Sequence, residues 1–340
     1  MAQNYWQRRK DWRLCVLALL TAIGTMPGLA QTWQSAQHGP AETDLNAVYF
    51  ITGKPRGWIV GDNGFVSRTD DNGKTWTPQK FALTTPINDI HFITPDNGYL
   101  LSGPAIWASA DGGTTWQSSY VVQPKELGGT SAELYSIRFS SKKNGWAVGS
   151  VSASEKRKGV ITERVIDSMV LRTEDGGNTW RRWRVPNSNE LIHLDVSGDK
   201  RAWLVGAEGT ILYTNNNGDS WQIQRSNTQE TLYHVDFRND KNGLAVGKKG
   251  TLLRTLDGGE TWIPVMLPVT NTLLSVALVS EDEAWIVGRG GLILRTSDSG
   301  ITWIVQDTTT KNNLFALYFD KKTGYAVGAD GLVMRYERAR

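Results

Sequence analysis

The chain has 340 residues, with 37 Lys and Arg against 34 Asp and Glu, a single cysteine and 15 tryptophans. The basic excess belongs to the first thirty positions, where Arg8, Arg9, Lys10 and Arg13 face only Asp11, so 33 residues of each sign remain beyond them. A near-neutral remainder excludes nucleic-acid binding by phosphate neutralisation, and with Cys15 alone no disulfide framework is available, so a chain of about 310 residues must rely on its own core.

Residues 1–30 read as a secretory signal: the four cations, the apolar run Leu14–Ile23, and the small-residue cleavage site Gly28-Leu29-Ala30. The apolar run is shorter than the roughly 20 residues a membrane span needs. The expected product, residues 31–340, is exported to the periplasm or exterior, monomeric, without a membrane span and without a cofactor.

From there the chain repeats. Six copies of Ser/Thr-x-Asp-x-Gly-x-Ser/Thr-Trp occur: Thr69–Trp76, Ser109–Trp116, Thr173–Trp180, Thr214–Trp221, Thr255–Trp262 and Thr296–Trp303. Their tryptophans are spaced 40, 64, 41, 41 and 41 apart, a period that signals stacked supersecondary units. A second motif precedes each by about 15 residues and occurs seven times: Gly57–Gly61, Tyr99–Gly103, Gly145–Gly149, Ala202–Gly206, Gly243–Gly247, Ala284–Gly288 and Gly324–Gly328. Upstream of each lies an alternating apolar run such as Leu45–Ile51. Each unit therefore reads as four short strands: the alternating run, the second motif, a strand such as Thr210–Thr214, and a Trp-led strand. The seventh unit lacks its fourth strand, and Gln31–Ser35 (QTWQS) resembles the fourth strand Thr114–Ser118 (TTWQS). The N-terminal strand is expected to complete the last sheet, giving an all-β, seven-bladed β-propeller of four-stranded antiparallel blades with no open edge in the ring.

The six turns call for a structural reading. The acid can accept backbone N–H groups of its own loop, the glycine supplies a positive φ, and the tryptophan anchors the turn. Asp71, Asp111, Asp175, Asp257 and Asp298 hold the acidic position and Asn216 replaces them once, a change that an acceptor role tolerates and a catalytic role does not. One or two carboxylates per loop are too few for calcium.

This is the Asp-box, or BNR, repeat. Together with the Trp-x-Val-Gly strands and the run Leu253–Trp262, it resembles the photosystem II stability and assembly factor family over nearly all of residues 31–340. The resemblance implies a lumenal or periplasmic seven-bladed propeller without enzymatic activity, acting as an assembly scaffold for a membrane or envelope protein complex. The compartment would be the thylakoid lumen in a photosynthetic organism.

Two places break the repeat. In the third blade the connection between strands two and three expands to Ser150–Asp167, and the link entering that blade, Tyr120–Ala132, is also long. Both are expected on one face, as loops carrying Lys125, Lys156, Arg157, Lys158 and Arg164, and this is the candidate docking surface. The innermost strands direct Asp89, His91, Arg138, His193, Asp195, His234 and Asp236 towards the central channel. Such a set is a candidate ligand or metal pocket, or else a water-filled channel lined by paired polar groups. Five units carry Arg68, Arg172, Arg254, Arg295 and Arg335 just before the repeated Thr, which suggests packing of guanidinium between blades. The leading functional reading is an exported scaffold; the alternatives are a lectin-like carbohydrate- or metal-binding propeller and a glycoside hydrolase related to sialidases. For the last, Tyr49 and Tyr318 are joined at those positions only by Arg138, and no paired carboxylates announce an acid–base couple, so no catalytic residue is assigned.

Overall fold

The computed structural model describes residues 33–37, 39–157, 160–320 and 323–338. The expected signal segment with Cys15 lies outside them, as does Lys158. The described residues form seven four-stranded antiparallel sheets. In six of them the strands run in chain order from the innermost to the outermost. The seventh is made of Leu314–Phe319, Thr323–Gly328 and Leu332–Glu337, completed by Trp33–Gln37, with Trp33 opposite Tyr336 and Gln37 opposite Leu332. Innermost strands of successive sheets touch in a cycle, Leu314–Phe319 lying beside Leu45–Phe50, so the propeller closes as the repeat count requires. Among the described residues no helix is long and apolar enough to cross a membrane.

The core lies between blades. Second strands such as Gly57–Gly61, Gly243–Gly247 and Ala284–Gly288 are buried along their whole length, because a neighbouring blade covers each face. The aromatic residue of the second strand stacks on a Phe of the next blade: Trp58 on Phe92 and Trp203 on Phe237 at 3.6 Å, and Tyr99 on Phe139 and Tyr325 on Phe50 at 4.9 Å. The turn tryptophan then meets that Phe edge-on, as in Phe237–Trp262 at 5.8 Å. The same second-strand aromatic reaches the carbonyl of the next blade's turn; Trp203 Nε1 donates to Gly258 O at 2.9 Å, and the Tyr99 and Tyr325 hydroxyls donate to Gly176 O and Asn72 O. At these three seams one residue thus contributes both apolar burial and a satisfied polar contact, whereas the buried Nε1 of Trp58 and of Trp146 has no partner.

The glycine ending the second motif has a different cause. In six blades the innermost strand carries a one-residue bulge, as between Leu45 and Ala47 or Leu191 and His193, which drives a carbonyl against that glycine. A Cβ on Gly61, Gly149, Gly206 or Gly328 would stand 1.9–2.1 Å from the carbonyl oxygen of Asp44, Glu133, Glu190 or Asn313. In blade 2 the ladder is paired only from Asp89, and Ser102 occupies the equivalent position. The pairing of Phe92 with Gly98 shows that its second strand is Gly98–Ser102, one residue earlier than the motif alignment at Tyr99–Gly103.

The turns behave as acceptor loops. Asp71 accepts Thr75 N at 2.9 Å, Thr75 Oγ1 at 2.7 Å and Thr69 Oγ1 at 2.8 Å, and the Thr75 hydroxyl bond holds its carboxyl down at about 2. Asp111, Asp175, Asp257 and Asp298 repeat these contacts. At Asn216 the amide oxygen accepts Ser220 N at 3.0 Å, while Nδ2 donates to Ser220 Oγ at 2.8 Å, the hydroxyl simply turning from donor to acceptor. The outermost strands begin after the tryptophan and are two residues long in blades 1, 3, 4, 5 and 6, shorter than the Trp-led strands expected. Short outer strands expose little unpaired backbone.

Candidate functional site

Blade 3 departs from its siblings. Its second strand, Gly145–Arg157, and third, Val160–Thr173, have 13 and 14 residues, against four to six elsewhere. The insertion is not a loop. It continues both strands as an antiparallel hairpin, Ser150 opposite Ser168 and Arg157 opposite Val160, with one bulge at Val151/Ser152. Eight residues from Ser150 to Arg157 reach ~26 Å at the usual rise per residue. β-Branched residues at 151, 160–162 and 165–166 favour strand over loop.

The link entering the blade is strapped to this hairpin. After a single 3-10 turn at Pro124–Leu127, Gly128 takes φ 76° and Gly129 N donates to Pro124 O at 2.8 Å. Gly129 packs flat on the hairpin, where a Cβ would stand 2.4 Å from Val151 Cγ1. Thr130 N donates to Ser152 O at 2.8 Å and Ser154 N to Thr130 Oγ1 at 2.9 Å, while the innermost strand starts early to pair Ser131 with Ser152. Link and insertion therefore share one face, with Lys125, Lys156 and Arg164 exposed on it beside the apolar Val160 and Ile161. Arg164 Nε lies 3.8 Å from Glu155, and Asp167 pairs with Arg182. Arg157 is the last strand residue before the turn; Lys158 falls outside the described residues.

The channel residues also converge, but for a different use. Asp89 accepts Ile137 N at 2.9 Å and Arg138 Nη1 at 2.5 Å, Asp195 accepts Phe237 N at 2.7 Å, and Asp236 accepts Leu278 N at 2.6 Å. Each acceptor sits on one innermost strand and each donor N–H on the next, so the carboxylates tie neighbouring blades together around the channel. Arg138 Nη2 lies 3.2 Å from His193 Nε2, and His193 stacks on His234 with centroids 3.7 Å apart and planes at 24°. Stacked imidazoles send their lone pairs outward in parallel planes rather than to a common point, and a guanidinium on one of them repels a cation. Among the described residues no group of three or more His, Cys, Asp or Glu is placed to hold a metal ion.

Burial governs the protonation of the channel. It lowers His91 and His234 to about 3, with the Arg138 charge adding to it, and holds His193 well below the usual imidazole range. It raises Asp195 to about 6 and, with Asp195 beside it, Asp236 to about 7. A carboxyl whose native pKa lies above its unfolded value keeps a proton in the native state that the unfolded chain gives up. Its effect therefore weakens the fold as pH rises from about 4 through 7. Asp236→Asn retains an oxygen for Leu278 N without the charge. It is expected to stabilise the protein on the order of 2 kcal/mol at pH 8.5, less at pH 5 and hardly at all at pH 3, below both pKa values, read from denaturant midpoints at the three pH values. A destabilised variant at pH 8.5 would show that the ionised form is the one the site prefers.

Residues 219–311 match the family model described as photosynthesis system II assembly factor YCF48. No curated protein sequence matches the chain. Among solved structures, "YCF48 bound to D1 peptide" superposes with a TM-score of 0.70 at 20% identity, covering 93% of this chain and 100% of that one. YCF48 from Cyanidioschyzon merolae does so with 0.68 at 20% identity over 90% and 98%. Virginiamycin B lyase from Staphylococcus aureus reaches 0.72 at 13% identity over 91% and 99%, a likeness of fold. Blades, motif and family match agree: the chain is a seven-bladed Asp-box propeller that resembles the photosystem II assembly factor family.

Proposed function

We propose that this protein is a non-catalytic exported scaffold that binds a protein component of a membrane or envelope complex through the face bearing the blade 3 hairpin. The observation that carries the reading is the hairpin itself, in which residues 150–157 pair with 160–168 in a departure from an otherwise regular repeat, braced by a second departure in the adjacent link. A rigid scaffold with one elaborated edge suits recognition, and exposed Lys125, Lys156 and Arg164 beside Val160 and Ile161 offer charge and apolar contact together. The fold shared with a propeller solved with a D1 peptide supports a polypeptide ligand. The non-catalytic part rests on the channel, where the carboxylates that a hydrolase would use serve as acceptors between blades. Export rests on the signal-like residues 1–30, and cleavage after Ala30 would leave Gln31 as the N-terminus of the protein recovered from periplasm or lumen.

A photo-crosslinking amino acid placed at Ile161 on the hairpin and, separately, at Ile263 on the outer strand of blade 5 tests the face. Both positions are exposed, at 68% and 57%. An integral-membrane protein crosslinked from position 161 and absent from 263 is the expected result. The reverse pattern would place the partner elsewhere on the ring.

A further inference from the structure

The side chain just before the repeated Ser/Thr fills the seam towards the next blade. Between blades 1 and 2, Arg68 donates to Asp70 at 3.1 Å and reaches Gly112 O and Thr114 Oγ1 of the next turn, both at 3.4 Å. Arg56 lies beside it, bonded to Asp70 at 2.6 Å and Pro95 O at 3.2 Å. Between blades 3 and 4, the buried Arg172 donates to Glu174 at 2.6 Å and Asp219 at 2.8 Å and rests 4.8 Å above the Trp183 ring.

Between blades 2 and 3 the same three positions read Asn97, Ala108 and Ala110, where blade 1 has Arg56, Arg68 and Asp70. Two guanidiniums and their carboxylate are replaced by small side chains. The result is a cavity of about 520 Å³, against about 200 Å³ at the seam that retains Arg254. The groups that receive arginine elsewhere are still present, with Gly176 O already accepting the Tyr99 hydroxyl through one lone pair. Lys142 stands where Pro95 does, Gly176 where Gly112 does, and Asn178 where Thr114 and Asp219 do, all three lining the cavity. Asn178 Nδ2 is engaged with Asp175 O at 2.7 Å, which leaves its Oδ1 as an acceptor. The carboxylates of Asp111 and Asp175 outnumber the single ammonium of Lys142 in the wall.

We propose that this cavity receives an arginine side chain of a partner protein, which takes the berth that the chain fills with its own arginines at other seams. A planar guanidinium suits a wall of carbonyl and amide acceptors better than a compact ammonium does. In a four-stranded antiparallel blade, the one-to-two and three-to-four turns share the end opposite the two-to-three hairpins. The cavity, built from Thr94–Asn97 and two Asp-box turns, therefore opens away from the blade 3 hairpin, and its test is independent of that surface.

Titration calorimetry with a blocked Gly-Arg-Gly peptide, its Gly-Gln-Gly counterpart and free arginine measures the proposal on the wild type, on Ala108→Arg and on Asn178→Leu. The expected result is saturable binding of the arginine peptide in the millimolar range or tighter. It should weaken roughly tenfold for the glutamine peptide and for both variants, while Ala108→Arg, which fills its own cavity, melts at or above the wild-type temperature. Asn178→Leu removes an acceptor without filling the space and decides the matter if Ala108→Arg folds poorly. Absence of saturable binding, or equal binding by both variants, overturns the proposal. Free arginine binding more tightly than the peptide overturns the assignment to a partner protein.

Discussion

Trp33→Ala is expected to cost about 3–5 kcal/mol of stability, more than any single surface change in the molecule. Trp33 is 5% exposed and is the only large anchor of the strand that completes the seventh sheet. Its ring packs 5.6 Å from Trp285, 6.1 Å from Phe319 and 5.5 Å from Tyr336, joining blades 6 and 7 to the N-terminal strand. No covalent bond holds the ring shut, so closure depends on this burial and on the pairing of Trp33–Gln37 with Leu332–Glu337. Losing the anchor frees the edge of Leu332–Glu337, whose unpaired backbone then invites association between molecules. Denaturant midpoints and amide exchange along Leu332–Glu337 check this together. A loss below about 1 kcal/mol with unchanged exchange would mean that the strand is dispensable to closure.

Gly206→Ala is expected to be comparably damaging, on the order of 3 kcal/mol or a failure to fold, although it adds a single methyl group to an extended backbone. Gly206 has φ −173°, which any residue adopts, so the cost is steric alone: the new Cβ would meet Glu190 O at 1.9 Å. The carbonyl cannot retreat, because Ala207 N donates to it at 2.9 Å and the bulge beside it sets the register of the innermost strand. Ser102→Ala at the equivalent site of blade 2 supplies the contrast. There the chain already carries a Cβ, and the change removes only the hydroxyl, which donates to Pro86 O at 2.7 Å and lies 2.7 Å from Thr85 Oγ1, a loss of about 1–2 kcal/mol. Similar midpoints for the two variants would contradict this account of the motif.

The architecture was largely legible before the structure, because the Asp-box turn and the Trp-x-Val-Gly strand recur at fixed spacing and each has a local cause. The closing strand was legible for the same reason, since TWQS at 32–35 repeats the wording of 115–118. What escaped depended on contacts between blades. Asp89, Asp195 and Asp236 were recognised as channel residues, but their partners are backbone N–H groups of the following blade, which no side-chain pattern reveals. The motif reads one residue late in blade 2 because Gly103 imitates the glycine whose place Ser102 takes. The blade 3 insertion shows in the sequence as a lengthened connection and reads as a loop, whereas its β-branched residues make it a hairpin. The seam between blades 2 and 3 left a signal in the repeat alignment, since Ala108 stands where five blades have arginine.

The central claim, that the hairpin face docks a protein, is tested most directly by replacing residues 154–163 with a two-residue Asn-Gly turn. Ala153 and Arg164 already pair, so this ending suits a tight hairpin and leaves the buried Val151 in place. Wild type and variant, matched for melting temperature, are used to capture partners from the same envelope or thylakoid membrane fraction after mild crosslinking, with quantification by mass spectrometry. The account predicts that the wild type enriches an integral-membrane protein and that the variant loses roughly tenfold or more of it. Equal enrichment by the two proteins would contradict the claim.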